Sequence, residues 1–97
     1  MSCEVELSFD GSEHFFQGHF PEFPILPGVM QLKLAHDHAA RMLGREIKLR
    51  TVKKMKFVHV IRPGDRVTLR LEEKGDGSIS YVFSKGDIVC SSGVLSF

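Results

Sequence analysis

Ninety-seven residues, 42% of them hydrophobic and with a net charge of +1, are enough for one compact domain and leave no room for a second. So short a chain buries only about 60–70% of the surface its unfolded form exposes, so an oligomer is expected to share the work of stabilisation. No run approaches the roughly 18 apolar residues of a membrane span, and the start, Met1-Ser2-Cys3-Glu4, is acidic; the expectation is a cytoplasmic protein with no membrane partner.

Near the start, Val5, Leu7 and Phe9 alternate with Glu4, Glu6, Ser8 and Asp10 before the turn signal Asp10-Gly11, which predicts a half-buried strand. Residues 12–27 hold Pro21, Pro24 and Pro27 among Phe15, Phe16, Phe20 and Phe23. Prolines forbid a regular ladder and the phenylalanines demand burial, so a packed, irregular loop is expected. From Gly28 to Leu43 no further Gly or Pro intervenes, and Gly44 follows as a C-terminal cap. That is the one convincing helix, about 24 Å long. Its apolar residues lie on several sides, which predicts a helix enclosed by other structure, with only Lys33, Asp37 and Arg41 forming a charged line. Strand-like runs follow near 47–60, 66–73, 78–84 and 88–96, separated by Pro63-Gly64-Asp65, Gly75-Asp76-Gly77 and Lys85-Gly86-Asp87. The fold class is therefore α+β, one long buried helix wrapped by an antiparallel sheet of about five strands.

Charge is unevenly spread along this order. Residues 1–32 carry five acids and no Lys or Arg, whereas Arg41 to Lys56 hold seven basic residues against Glu46 alone. Such a basic block suits an anionic partner or a solvated face. Nucleic acid is disfavoured, because aromatics are not interleaved with the basic residues. Cys3 and Cys90 have no neighbours at zinc-ligand spacing and read as reduced thiols. His36 and His38 are two apart on the helix and cannot chelate one metal together, so no metal or other cofactor is expected; His14 and His59 have no evident partner.

The stretch from Phe15 to Leu32, containing Gly18-His19-Phe20-Pro21-Glu22-Phe23-Pro24-Ile25-Leu26-Pro27-Gly28-Val29, resembles the GHFPxxPxxPGV signature of bacterial hot-dog fold 3-hydroxyacyl-acyl-carrier-protein dehydratases. Downstream, Lys56-Phe57 through Pro63-Gly64-Asp65 resembles the family's strand and PGD turn, and Ile79 to Phe97 resembles its closing strands. The likeness covers most of the chain and implies a single hot-dog domain over residues 1–97, expected to be a minimal version without the leading strand-and-helix segment that usual members carry before the loop. Ile25-Leu26-Pro27-Gly28-Val29-Met30-Gln31-Leu32 is most similar to the aryl-polyene-type branch. Hot-dog folds also host thioesterases and non-catalytic acyl binders, so fold does not by itself fix the activity.

Dehydration of a 3-hydroxyacyl thioester needs a base for the C2 proton, a donor for the thioester oxygen and an acid for the departing hydroxyl. His19 suits the base, since imidazole titrates near neutral pH and flanking phenylalanines favour its neutral form; the resemblance implies the same role. Pro27-Gly28-Val29 opens the helix, where unpaired N–H groups and the positive end of the dipole suit a carbonyl oxygen. The resemblance assigns that work to the Gly28 N–H. Phe16, Phe20, Pro27 and Val29, around these two groups, are candidates for substrate contact.

The third role departs from the family, whose acid lies fourteen residues after the histidine and reaches the partner subunit's site. Here that position is Lys33, with Asp37 one turn on. Three accounts stand: Lys33 donates the proton as an ammonium, the carboxylate has moved to Asp37, or activity is lost or altered and Lys33, Asp37 and Arg41 are an ion-paired stripe. The resemblance further implies an acyl carrier protein as partner, docking at Arg41, Arg45, Lys48, Lys53 and Lys54, and a homodimer or a heterodimer with a related subunit that supplies the missing carboxylate. A non-catalytic subunit and a thioesterase remain the alternatives; for the latter, no placed acidic nucleophile or water-activating carboxylate is found beyond the unassigned Asp37.

Overall fold

The computed structural model describes residues 1–9, 25–75 and 77–97. His19, Phe16 and Phe20 lie outside the described residues, as does most of the proline-rich loop. Six elements follow in chain order: β1 (Ser2–Ser8), α1 (Gly28–Leu43), β2 (Thr51–Phe57), β3 (Arg66–Glu73), β4 (Ser78–Lys85) and β5 (Ile88–Ser96). The strands form one antiparallel sheet in the order β1-β3-β4-β5-β2, with β1 and β2 at its edges.

Alternation decides which face of the sheet meets the helix. Val67, Leu69 and Leu71 of β3, Ile79, Tyr81 and Phe83 of β4, and Leu95 of β5 are all buried, and the register sets Leu69 opposite Phe83 and Ile79 opposite Leu95. Burying each such side chain stabilises the fold by about 1.5–3 kcal/mol. Against this face lies α1, presenting Gln31, Ala35 and Ala39, one turn apart and all buried. Two of the three are alanines, which lets the helix axis come close to the sheet. The hot-dog arrangement implied by the signature is thus present, a helix laid along an antiparallel five-stranded sheet.

Local chemistry explains where α1 begins and ends. Pro27 stands at its N-cap with φ −62° and ψ 147°, extended values that proline adopts without strain. At the other end Gly44 takes a left-handed φ of 70°, Gly44 N–H donates to the Arg41 carbonyl (3.1 Å) and Arg45 N–H to the Ala40 carbonyl (3.2 Å). This pair of bonds is a Schellman cap, and it uses the glycine for its positive φ.

Two expectations are corrected. The helix is not enclosed on every side by the described residues: one sheet covers one face, and Val29, at 71% exposure, stands on the uncovered side. The run expected near 47–60 narrows to Thr51–Phe57, and within it β2 carries a bulge. Its register with β5 shifts between Lys53 and Lys56, Lys54 adopts a φ of +55°, and beyond Phe57 both Val58 and His59 N–H groups converge on the Cys90 carbonyl.

Candidate functional site at the mouth of the helix

The Pro27 carbonyl accepts from both Met30 N–H (3.0 Å) and Gln31 N–H (3.1 Å). Among the described residues no acceptor faces the Gly28 or Val29 N–H, so these two donors stand free at the positive end of the helix. They open beside a crevice of about 320 Å³ whose walls include Leu26, Gly28, Gln31, Phe57, Val58 and His59. No carboxylate lines it among the described residues.

Glycine at position 28 has a steric reason. A Cβ there would lie 2.8 Å from Cζ of Phe57, whose half-exposed ring rests on the glycine. Phe57 is set by its strand, as the cross-strand neighbour of Ser91 on β5. From the same place the Ser91 hydroxyl donates to Gln31 Oε1 at 2.6 Å, while Gln31 Nε2 donates to the Leu26 carbonyl at 3.1 Å. The Leu26 N–H in turn donates to the Ile61 carbonyl at 2.7 Å. Every polar atom of this buried group is partnered, as burial requires.

Lys33 and Asp37 are brought together, away from the crevice. Lys33 Nζ donates to Asp37 Oδ2 at 2.9 Å, with the two side chains 62% and 40% exposed. That hydrogen bond holds the Asp37 carboxyl below its usual range, against a smaller opposing effect of burial. His36 bridges the helix to the following segment, with Nε2 2.8 Å from the Ile47 carbonyl and Nδ1 3.4 Å from Asp37 Oδ1. Burial first, and then the charge of Arg41, pushes the His38 imidazole below its ordinary value.

The basic block, continuous in sequence, divides in space. Arg41 and Lys48 share a wide depression with His36, Asp37 and Glu46 at the C-terminal end of α1, and the Arg45 guanidinium sits 5.5 Å above the Phe97 ring. Lys53 and Lys54 instead flank a separate hollow with Lys74, Ser78 and Ser96 at the β2 edge. Among the described residues no three His, Cys, Asp or Glu side chains gather as metal ligands, and no helix is long and apolar enough to cross a membrane. Cys3 and Cys90 are free thiols.

Sequence reasoning did not place Gln31 or His59 at the site, nor Phe57 against Gly28. The signal for Gln31 was present: it shares the i, i+4, i+8 line with Ala35 and Ala39, and a polar residue on a small-residue face is one that meets a partner.

Comparison with known proteins agrees with the fold and the signature. A 3-hydroxyacyl-[acyl-carrier-protein] dehydratase FabZ from Levilactobacillus brevis is 33% identical over an alignment covering all of this chain and 72% of that protein. A Chlamydia muridarum protein of the same name is 37% identical, covering 89% of this chain and 65% of its own length. Among solved structures, the dehydratase heterocomplex ApeI:P from Xenorhabdus doucetiae contains a chain that superimposes with a TM-score of 0.90 at 23% identity, covering 98% of this chain and 85% of that one. That likeness speaks to the fold, while the family is fixed by a match to the ApeI-like dehydratases over residues 1–94. A free pair of amides at a helix mouth, on a hot-dog scaffold with this signature and these relatives, places the chain in the ApeI-like dehydratase family.

Proposed function

We propose that residues 1–97 act as one cytoplasmic hot-dog subunit of a dehydratase that converts a 3-hydroxyacyl thioester, carried on an acyl carrier protein, to the trans-2-enoyl thioester. The observation that carries this reading is the free Gly28 N–H at the mouth of α1, opening on an apolar crevice. His19 takes the C2 proton, and the charge that develops on the thioester oxygen is met by the Gly28 N–H. Phe16, Phe20, Pro27 and Val29 hold the acyl and pantetheine portions around it. An acid protonates the departing hydroxyl, and one water leaves. Preorganised donors of this kind contribute about 3–4 kcal/mol to such reactions.

The acid is best supplied from outside the chain. Lys33 and Asp37 satisfy one another in an exposed pair and do not line the crevice, which favours the partner's helix as the source of the carboxylic acid. In a pair with a related but different hot-dog subunit, His19 and Gly28 would complete one working crevice with the partner's carboxyl. The reciprocal crevice, facing Lys33, would be altered. The carrier protein docks on the basic residues, Arg41, Arg45 and Lys48 at the end of α1 or Lys53 and Lys54 at the β2 edge.

A second reading, a non-catalytic subunit that binds and stabilises an active dehydratase, is favoured by the same exposed Lys33–Asp37 pair. The two are separated by mass spectrometry of a 3-hydroxyacyl carrier protein incubated with the chain and its partner. Loss of one water, abolished by His19→Ala in this chain alone, supports catalysis here. Unchanged turnover by the His19→Ala pair assigns the chemistry to the partner.

A further inference from the structure

We propose that Gln31 is a positioning residue that aims the Gly28 N–H, an inference that rests on the dehydratase reading above. Gln31 is 4% exposed on a helix face otherwise made of Ala35 and Ala39, where an apolar side chain would serve packing equally well. Its amide joins two parts of the fold that no other side-chain hydrogen bond among the described residues connects: the Ser91 hydroxyl on β5 and the Leu26 carbonyl just before the helix.

Consider what remains free at the mouth once this bond is made. Leu26 is held at its N–H by the Ile61 carbonyl and at its C=O by Gln31. The following residue, Pro27, has its φ fixed by its ring, and its own carbonyl is engaged by Met30 and Gln31 N–H groups. The direction of the Gly28 N–H is thereby set although that N–H has no partner of its own among the described residues. Ser91 is the cross-strand neighbour of Phe57, so adjacent strands grip the mouth twice, through the polar bridge to Gln31 and through the Phe57 ring on Gly28. An oxyanion donor must be aimed before charge develops, and these two grips do so from the sheet.

The test uses the full chain in the assembly in which it purifies, with ¹⁵N-labelled backbone amides and, in parallel, 3-hydroxyacyl thioester turnover. In Gln31→Met the Gly28 and Val29 amide resonances should move while those of β3 stay, and kcat should fall at least tenfold with KM within threefold. Should Gln31→Met fold poorly, Ser91→Ala, which removes only one of the two bonds, should move the same resonances by less. Gln31→Glu supplies a reversible version. Ionised, its carboxylate has no hydrogen for the Leu26 carbonyl; protonated, it donates to Leu26 and accepts from Ser91 as the amide does. The Gly28 resonance and kcat should therefore return toward wild type as pH falls through the titration of that buried carboxyl, a response that lost packing would not give. Unmoved Gly28 and Val29 resonances in Gln31→Met and Ser91→Ala overturn the proposal. If the wild-type assembly turns over no 3-hydroxyacyl thioester, the dehydratase reading fails, while the resonances and their pH reversal still decide whether Gln31 positions the mouth.

Discussion

Gly28 and Gly93 each face an aromatic ring at a distance no side chain tolerates, yet the two rings differ in their freedom to retreat. At Gly28 the obstacle is the tip of Phe57, half exposed; at Gly93 it is Tyr81, whose ring atoms and hydroxyl would lie 2.7–2.8 Å from a new Cβ and which is fully buried. Gly93→Ala should therefore destabilise the chain by about 1–3 kcal/mol, as overpacking does where nothing can move, and a chemical denaturation curve measures it. In Gly28→Ala the ring swings aside, and at this first helical position alanine costs the backbone nothing. Its stability should stay within about 1 kcal/mol of wild type while turnover drops at least tenfold, since the displaced ring no longer shapes the crevice. The Lys33–Asp37 pair is a third case. Asp37 has a folded pKa below its unfolded value, so its contribution is present above the unfolded pKa and is lost as pH falls through the folded one. Because both partners are largely exposed, Asp37→Asn should change stability at pH 7 by less than about 0.5 kcal/mol, and the difference should shrink in melts as pH is lowered below the ordinary carboxylate range.

At the scale of elements, what could be read from sequence was what local chemistry decides. Pro27 and Gly44 bracket α1 because one fixes an extended φ and the other permits a left-handed one, and both act within a turn. Alternation in Arg66–Glu73 and Ser78–Lys85 marks the buried face for the same reason. The crevice was less legible. Phe57 meets Gly28 across 29 residues of chain, and Ser91 meets Gln31 across 60, contacts that register alone determines. The signature pointed to His19 and Gly28 as a unit, and only the Gly28 half falls among the described residues. The bulge in β2 was invisible, because its left-handed residue is Lys54 where glycine is usual. Lys54→Gly should relieve that conformation and leave the thermal midpoint unchanged or raised, corresponding to about 0–1 kcal/mol. The linear basic block is spread over two elements, with Arg41 on the helix and Lys53 and Lys54 on the edge strand β2, a separation that sequence order does not reveal.

For the molecule as a whole, the feature that matters is an uncovered apolar ridge. Val58 and His59 share the Cys90 carbonyl, which ties the exposed Phe57, Val58 and Val60 to the end of β5 that carries the exposed Ile88 and Val89. Contiguous apolar surface of this sort marks an interaction face. Co-expression with a related hot-dog subunit should raise the thermal midpoint and give a single 1:1 species by light scattering; an unchanged midpoint and a free monomer would argue against pairing. A sheet that joins a partner must also avoid joining everything. One of its two edges is β2, where Lys53, Lys54 and Lys56 crowd the strand and the inserted residue breaks the spacing of the ladder. Such a rim is a poor seed for fibrils, because an incoming strand of regular pitch finds its hydrogen-bonding groups out of step and its approach opposed by ammonium groups that must lose their water. At that edge the next strand to arrive meets a mismatch in pitch and in charge, so open-ended growth of the sheet is disfavoured there.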